Sequence, residues 1–364
     1  MSENWTRVVN TTIADYIRQE EVNVLRERKL LALLQSRGRL TFNHEGDEMN
    51  WKVRYKRAPM TGYADGDTLS FARKERHKTA VLGWRGYSAT DSVSKMEKLQ
   101  NKGAAAIIKI FDNTARLLME DISENFAGEF YIDGNAAGNL KRLHGIESFF
   151  GVSGTAAAGV DAPSDTYAGL NTGLGYYGGS WSALAAAPTT DWPSGSGDAS
   201  YDFWSPLVLD YTNTSWAGAT NTWAANCSAV LRYAITHQGR NASKKKMMDL
   251  VLLDPDLFRQ FANAQDGKQQ ITIRRGDKVG LVSLGFTDVI EFDGMEVTRE
   301  YGVPRLSGYG LAIDQMELCS LQDRLFVPEG PDFEIASKSH RFSIDFMGNL
   351  KCNPRYFTKF KKTS

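Results

Sequence analysis

Between Trp51 and Lys56 the chain alternates without a break: Trp51, Val53 and Tyr55 fall on one side of an extended strand, and Lys52, Arg54 and Lys56 on the other. Period-two patterning predicts a strand with two unlike faces. Turn chemistry follows in Thr61, Gly62, Tyr63, Ala64, Asp65, Gly66 and Asp67, and a second arm returns over residues 68–84. The ribbon is cationic. Lys52, Arg54, Lys56, Arg57, Arg73, Lys74, Arg76, Lys78 and Arg85 outweigh Asp65, Asp67 and Glu75, a net charge of +6. A long basic hairpin with little room for a core of its own needs a partner surface.

Directly behind the ribbon the period changes to 3.6. Val93, Met96, Leu99, Gly103, Ile107, Phe111, Ala115, Leu118, Ile122 and Phe126 recur at intervals of three and four, which predicts one helix over residues 92–126. Such a helix is roughly 50 Å long. Ser94 with Glu97 offers a capping box, Thr90, Asp91 and Ser92 are rival caps, and Gly128 lies beyond the expected end. The stripe alone fits an ordinary core helix; the ribbon in front of it favours an interlocking subunit.

Residues 12–36 read as an earlier helix, with Ile13, Ile17, Val24, Leu31 and Leu34 on one face, charges on the other, and Gly38 as a stop. Its charged back predicts a helix lying across a surface. Residues 151–226 shift to Gly, Ala, Ser and Thr and hold five of the eight tryptophans, which predicts an irregular or short-stranded insert, outward or between subunits, packed around its aromatics. Beyond it, residues 230–237 read as a helix and 249–253 as a buried strand. Asp254-Pro255 opens another helix that stops before Gly267. Asp293-Gly294 joins 289–292 to 295–298 as a hairpin, and the last sixty residues read as strands, with a turn at 347–349. The result is a mixed α+β fold.

Composition adds limits. With 364 residues and 42% apolar content the chain can build real cores, and 43 basic residues balance 43 acidic ones. No overall field therefore pulls it onto nucleic acid or membrane. Locally, no Lys or Arg stands between Arg142 and Arg232, while residues 351–362 carry five basic residues and no acid. Three scattered cysteines, Cys227, Cys319 and Cys352, imply a reducing compartment, and no signal-peptide core or membrane-length apolar run is present. The expectation is a soluble protein made in a cytoplasm.

The search for chemistry gives no catalytic, cofactor or metal site. Gly173, Gly175 and Gly178 match GxGxxG but lack the strand before and the helix after that give the motif its meaning. His44, His77, His144, His237 and His340 form no pair at metal-ligand spacing. Cys352 and His340 meet only if the C-terminal strands form a hairpin, and a core thiol beside a surface histidine explains them better. Asp254 and Asp256 read as a helix cap and a first-turn charge, not as paired catalytic carboxylates.

The stretch TFNHEGDEMNWKVRYKRAPMTGYADGDTLSFARKERHKTAVLGWRGYSATDSVSKMEKLQNKG, then EFYIDGNAAGNLKRLHGIESFFG, and the ending GNLKCNPRYFTKFKK resemble major capsid proteins of tailed bacteriophages, the Hong Kong 97-type fold. The likeness covers about residues 1–150 and 230–364 and is weak over the Gly/Trp-rich segment. It implies an N-terminal arm (1–47), an extended β-hairpin loop (48–88), and a peripheral domain with a spine helix (89–132). An axial domain (133–315) including the insert 151–226 follows, then C-terminal strands (316–364) returning to the peripheral domain.

The implied function is self-assembly into hexamers and pentamers of an icosahedral shell around double-stranded DNA, in a virion built in the host bacterial cytoplasm. Enzymatic activity, cofactors and membrane contact are not expected. Implied partners are other copies of the chain, a separate scaffolding protein, a portal, packaged DNA held without sequence specificity, and a decoration protein as a further candidate. The short run before the first helix suggests an uncleaved subunit, and no covalent crosslink is expected. Trp51, Arg54, Lys56, Arg57, Arg73, Lys74, Arg76 and Trp84 are the expected inter-subunit contacts, the basic residues pairing with acids of a neighbour rather than with DNA. Each exposed pair adds only about 0–1 kcal/mol, so strength must come from repetition and buried aromatics. Two rivals are an encapsulin-like compartment, told apart by cargo protein in place of nuclease-protected DNA, and a carbohydrate-binding or hydrolytic protein using the Trp and Asp residues of 181–210, told apart by remaining monomeric.

Overall fold

The computed structural model describes residues 28–54, 62–69, 71, 76–100, 104–157, 159–174, 204–216, 218, 220–238, 247–265 and 280–362. In chain order the main elements are α1 (Lys29–Ser36), β1 (Leu40–Thr41), β2 (Glu48–Arg54), β3 (His77–Gly83), β4 (Arg85–Ser94), α2 (Lys95–Gln100) and α3 (Ala104–Glu129). Next come β5 (Val152–Ala157), β6 (Val160–Pro163), β7 (Thr166–Tyr167), β8 (Leu170–Asn171), β9 (Leu207–Asp210), α4 (Trp223–Gln238), β10 (Leu250–Leu253) and α5 (Pro255–Gln265). The chain closes with β11 (Val289–Phe292), β12 (Met295–Arg299), β13 (Gly308–Leu311), β14 (Met316–Ser320), β15 (Val327–Glu334), β16 (Ser339–Cys352) and β17 (Thr358–Lys361).

Two sheets organise these elements. In the first, the 14-residue strand β16 is the backbone: β15 pairs with residues 339–345 and β14 with 348–352 along one edge, and β4 pairs with 339–348 along the other. The short strand β1 adds parallel to β14. Helix α3 lies on this sheet through Phe126, whose ring meets Tyr87, Phe130, Phe326 and Phe346 at centroid distances of 6.3, 5.1, 5.4 and 4.9 Å. The second sheet has eight strands in the order β11-β12-β10-β13-β17-β9-β6-β5. Its interior strand β10 reads Leu-Val-Leu-Leu because both faces are covered. Val251 and Leu253 pack with α4 and α5, while Leu250 and Leu252 join the larger core shared with the first sheet.

Several predicted elements stand where the patterning put them: the β2–β3 ribbon, β10, α5 and the β11–β12 hairpin, while α4 covers the helix expected at 230–237 but begins at Trp223, inside the segment read as an insert. Asp293 (φ 48°) and Gly294 (φ 80°) both take the left-handed conformation that a two-residue hairpin turn demands.

Others are corrected. The helix expected over 92–126 begins later, since 92–94 complete β4, whose ten residues all pair with β16. That ladder satisfies more backbone groups than one further helical turn, so Ser94 is the last residue of the strand and stands directly before α2. The helical residues are α2 and then α3, which runs on through Gly128 to Glu129; residues 101–103 lie outside those described. The earlier helix does not ride on a surface over its described part, because Leu30, Leu31, Leu33 and Leu34 of α1 are all buried. Its stop is as expected: Gly38, at φ 63°, closes it with its amide on Gln35 O. Residues 347–349 do not turn; β16 runs straight through them, paired with β4 on one edge as far as Gly348 while its partner on the other edge changes from β15 to β14. Cys352 and His340 both stand on the one strand β16 and so do not meet across a hairpin, and His340 sits instead beside Lys98 and Phe333.

The Gly/Trp-rich segment is also no appendage where it is described. β5, β6 and β9 are strands of the eight-stranded sheet, Trp204 and Trp223 are fully buried, and Trp223 Nε1 donates to Leu257 O to tie α4 to α5. Finally, β17 does not stay with β14–β16. It inserts between β13 and β9 at the centre of the second sheet.

Candidate assembly surface

The ribbon divides into a seated base and a bare end. In the β2–β3 ladder Trp51 stands opposite Ala80 and Met49 opposite Leu82, and with Val53 they turn to the chain's own core. Trp51 is half-buried, its ring 6.4 Å from Tyr167 and 6.2 Å from Trp204, with Lys351 Nζ 5.8 Å above it. Trp84 donates its indole N–H to Gly46 O and packs beside His44. Both tryptophans therefore hold the ribbon to its own subunit. Among the basic positions, Arg54 and Arg76 are exposed near the end of the ladder, and Lys56, Arg57, Arg73 and Lys74 fall outside the described residues.

Beyond the ladder, residues 62–69 and Phe71 are exposed throughout. The turn is built locally: the Ala64 amide donates to Asp67 Oδ2 (2.7 Å), the Asp67 amide to Ala64 O (3.1 Å), and Gly66 sits at φ 91°. Phe71 is 92% exposed and Tyr63 73%, with Leu69 also outward. Side chains this apolar, held away from any core among the described residues, suit a surface that another chain covers. The charge count drew attention to the basic residues; the signal for Tyr63, Leu69 and Phe71 was the presence of large apolar residues in an otherwise polar turn.

A second bare apolar area lies at the start of the helical stretch. Met96 and Leu99 of α2, both in the predicted core stripe, are exposed, as are Phe333 and Ile335 at the end of β15. Lys95 N bonding Lys338 O (2.9 Å), Lys98 Nζ near His340 Nε2 (3.1 Å) and His340 near the Phe333 ring (5.1 Å) bring these elements to one corner. Farther along the stripe, Ala115, Leu118 and Phe126 are buried as expected.

The basic C-terminal run is committed within the chain. Lys351 pairs with Glu317 (3.0 Å), Lys359 with Glu147 (2.7 Å) and Lys361 with Asp161 (2.8 Å), and Arg355 is buried. It offers no row of open cations to a phosphate backbone.

Two titratable groups line a cavity of about 230 Å³ between the ribbon base and the β7–β8 turn, walled by Val81, Leu82, Asn135, His144, Asp165 and Ala168. Burial, and then the Arg85 guanidinium, push His144 down to about 4. Arg85 Nη2 donates to its Nε2 at 3.2 Å, so the proton of the neutral ring is on Nδ1. Burial pushes the Asp165 carboxyl up to about 6, with Asp133 adding to the effect. Hydrogen bonds from the Thr166 amide (2.7 Å) and Asn135 Nδ2 (3.3 Å) hold Asp165 as a structural bracket. Of the GxGxxG glycines only Gly173 is described, in a 3₁₀ turn rather than at a helix start. Asp254 caps α5 through its backbone oxygen, and its side chain accepts from the Leu306 amide (3.2 Å).

No family model matches the chain, and no curated relative does. Solved structures do. The capsid of cyanophage A-1(L) aligns with a TM-score of 0.59 at 14% identity over 92% of both chains. The capsid of a native GTA particle aligns at 0.53 and 12% identity over 92% of this chain and 90% of that one. The capsid of Myoviridae phage XM1 aligns at 0.50 and 8% identity over 91% and 92%. At these identities the likeness establishes the fold: this chain has the α+β architecture of phage capsid subunits, the Hong Kong 97-type fold.

Proposed function

We propose that this chain is the major capsid protein of a tailed bacteriophage, assembling as hexamers and pentamers into an icosahedral shell around double-stranded DNA. The observation that carries the reading is a capsid-subunit fold matched over nearly the whole length of both chains, on a molecule whose ribbon ends in a bare apolar tip. Residues 48–88 act as the extended loop in this reading. The sheet of β4 and β14–β16 with α3 is the peripheral part, and the eight-stranded sheet is the axial part. A shell subunit works by binding copies of itself, which agrees with titratable groups serving as structural brackets rather than as a reaction centre. The ribbon's partner is a neighbouring subunit: Tyr63, Leu69 and Phe71 supply the buried contact, and the flanking Arg54 and Arg76 the polar rim. Scaffolding protein, portal and packaged DNA are the further partners, and the virion shell is the site of action.

Electron microscopy of the expressed full-length chain tests this directly. Closed shells or ordered capsomers are expected, with nuclease-protected DNA in particles from infected cells. Deleting residues 61–67 should leave folded subunits that fail to close shells. A chain that remains monomeric under all assembly conditions overturns the reading, and shells loaded with a cargo enzyme and no DNA assign it to a protein compartment instead.

A further inference from the structure

Away from the ribbon tip, the edge of the first sheet gathers three side chains with metal-binding chemistry. Glu317 and Cys319 are two residues apart on β14, so the pleat sets both on one face. β1 runs parallel beside them, with Leu40 opposite Leu318 and Thr41 opposite Cys319. Past β1 the chain turns at Asn43, whose φ is 56°, with its amide on Gln322 O (3.0 Å) and the His44 amide on Ser320 O (3.2 Å). These backbone bonds fix His44 against β14 before any ligand is considered. One imidazole nitrogen, one carboxylate oxygen and the thiol sulfur then lie within 4.8 Å of one another.

A thiolate, an imidazole and a carboxylate together favour a borderline ion such as Zn²⁺ or Co²⁺ over Ca²⁺ or Mg²⁺, which prefer oxygen throughout. Bonds of about 2.0–2.3 Å to a tetrahedral ion set ligand atoms roughly 3.3–3.8 Å apart, within reach of small side-chain rotations here. Two neighbours compete with an ion. The Thr41 hydroxyl is 2.8 Å from His44 Nε2 and 3.4 Å from Cys319 Sγ, and Lys351 Nζ is 3.0 Å from the Glu317 carboxylate.

We propose that His44, Glu317 and Cys319 form a Zn²⁺-class site that staples the segment after β1 to β14, with water as the fourth ligand. On binding, the Cys319 thiol gives its proton to solvent and its sulfur lone pair to the metal. His44 binds through a neutral ring nitrogen, the Thr41 hydroxyl rotates aside, and the Lys351 ammonium leaves Glu317 for solvent. No redox change is involved. The site stands independently of the shell reading, because it needs only the folded subunit.

Titration of the purified full-length chain with Co²⁺ tests it. A thiolate-to-cobalt charge-transfer band and tetrahedral visible bands should grow to one ion per chain and vanish when Zn²⁺ is added. C319S should lose the charge-transfer band, C227S should keep it, and H44N should keep it with weakened affinity. K351M removes the competing ammonium and should tighten binding on the order of tenfold. Absence of the band in both the wild type and K351M, with the fold intact by circular dichroism, overturns the proposal. A band that survives C319S does the same, since it places the thiolate elsewhere.

Discussion

Replacing Lys29 with Met tests how the chain's start is fastened to its core. Lys29 is buried at the head of α1, and its Nζ donates to Asp288 Oδ2 (2.7 Å), Thr298 Oγ1 (2.8 Å) and Arg299 O (2.8 Å). Stripping one partner from a buried ion pair costs about 3–5 kcal/mol when the other charge is left alone. Asp288 is not left alone, because Arg299 Nε remains 2.9 Å away and the carboxylate is partly exposed. Thr298 keeps its bond to Asp288 O (2.7 Å), so the Arg299 carbonyl is the one acceptor that loses its partner. Met also refills the alkyl volume beside Phe286. The expected loss is therefore smaller, about 2–3 kcal/mol at pH 7.

The pH dependence has a definite sign. Burial raises the Asp288 carboxyl, but hydrogen bonds from Lys29 and Arg299 outweigh burial and leave it below its ordinary value. Its contribution to stability is thus present above the unfolded carboxylate range and lost as pH falls through its folded value. Glu300, raised by burial and eased by Lys29, becomes costlier when Lys29 is gone, and that cost also vanishes in acid. Both effects narrow the gap between wild type and K29M as pH falls, Glu300 while pH drops towards the ordinary carboxylate range and Asp288 below about 4. Urea unfolding at fixed subunit concentration measures it, since self-association would otherwise shift the midpoint by mass action. A loss under about 0.5 kcal/mol at pH 7, within the range of an ordinary surface substitution, refutes the argument. So does a gap that stays constant into acid.

D165N should raise stability at pH 7 by about 1 kcal/mol, the pKa shift being discounted for partial exposure of the carboxyl. Asp165 titrates near 6 when folded, so its cost is full above that pH and absent below the ordinary range, whereas His144 loses stability as pH falls from 6.5 towards 4. The two slopes oppose each other in the wild type, and urea midpoints across this window should fall more steeply in D165N; an unchanged slope contradicts the assignment. F126A removes the ring on which α3 meets four aromatics and should cost about 3–5 kcal/mol, read as a lowered urea midpoint or loss of soluble protein. G294A places a Cβ at φ 80° in the β11–β12 turn and should cost about 1 kcal/mol, while D293N, at a position Asn also tolerates, should be close to neutral by thermal melt.

The sequence by itself determined what depends on neighbours along the chain. Alternation at Trp51–Lys56 placed β2, Asp293-Gly294 placed a hairpin, Asp254-Pro255 opened α5, and the quoted motifs pointed to the capsid-subunit fold. Tertiary structure decided the rest, because each of those outcomes turned on a partner far away in sequence. Residues 92–94 became strand because β16 offered ten backbone pairings, and Met96 and Leu99 are left exposed where the β4–β16 ladder before them ends. Trp51 and Trp84 read as contacts for a neighbour, and only the fold shows that Trp204, Tyr167 and Gly46 also meet them within the chain. His44, Glu317 and Cys319 show no ligand spacing in the sequence, and only the parallel pairing of β1 with β14 brings them together. Local propensity is a matter of tenths of a kcal/mol per residue, and a long-range ladder or a buried ring contact readily outweighs it.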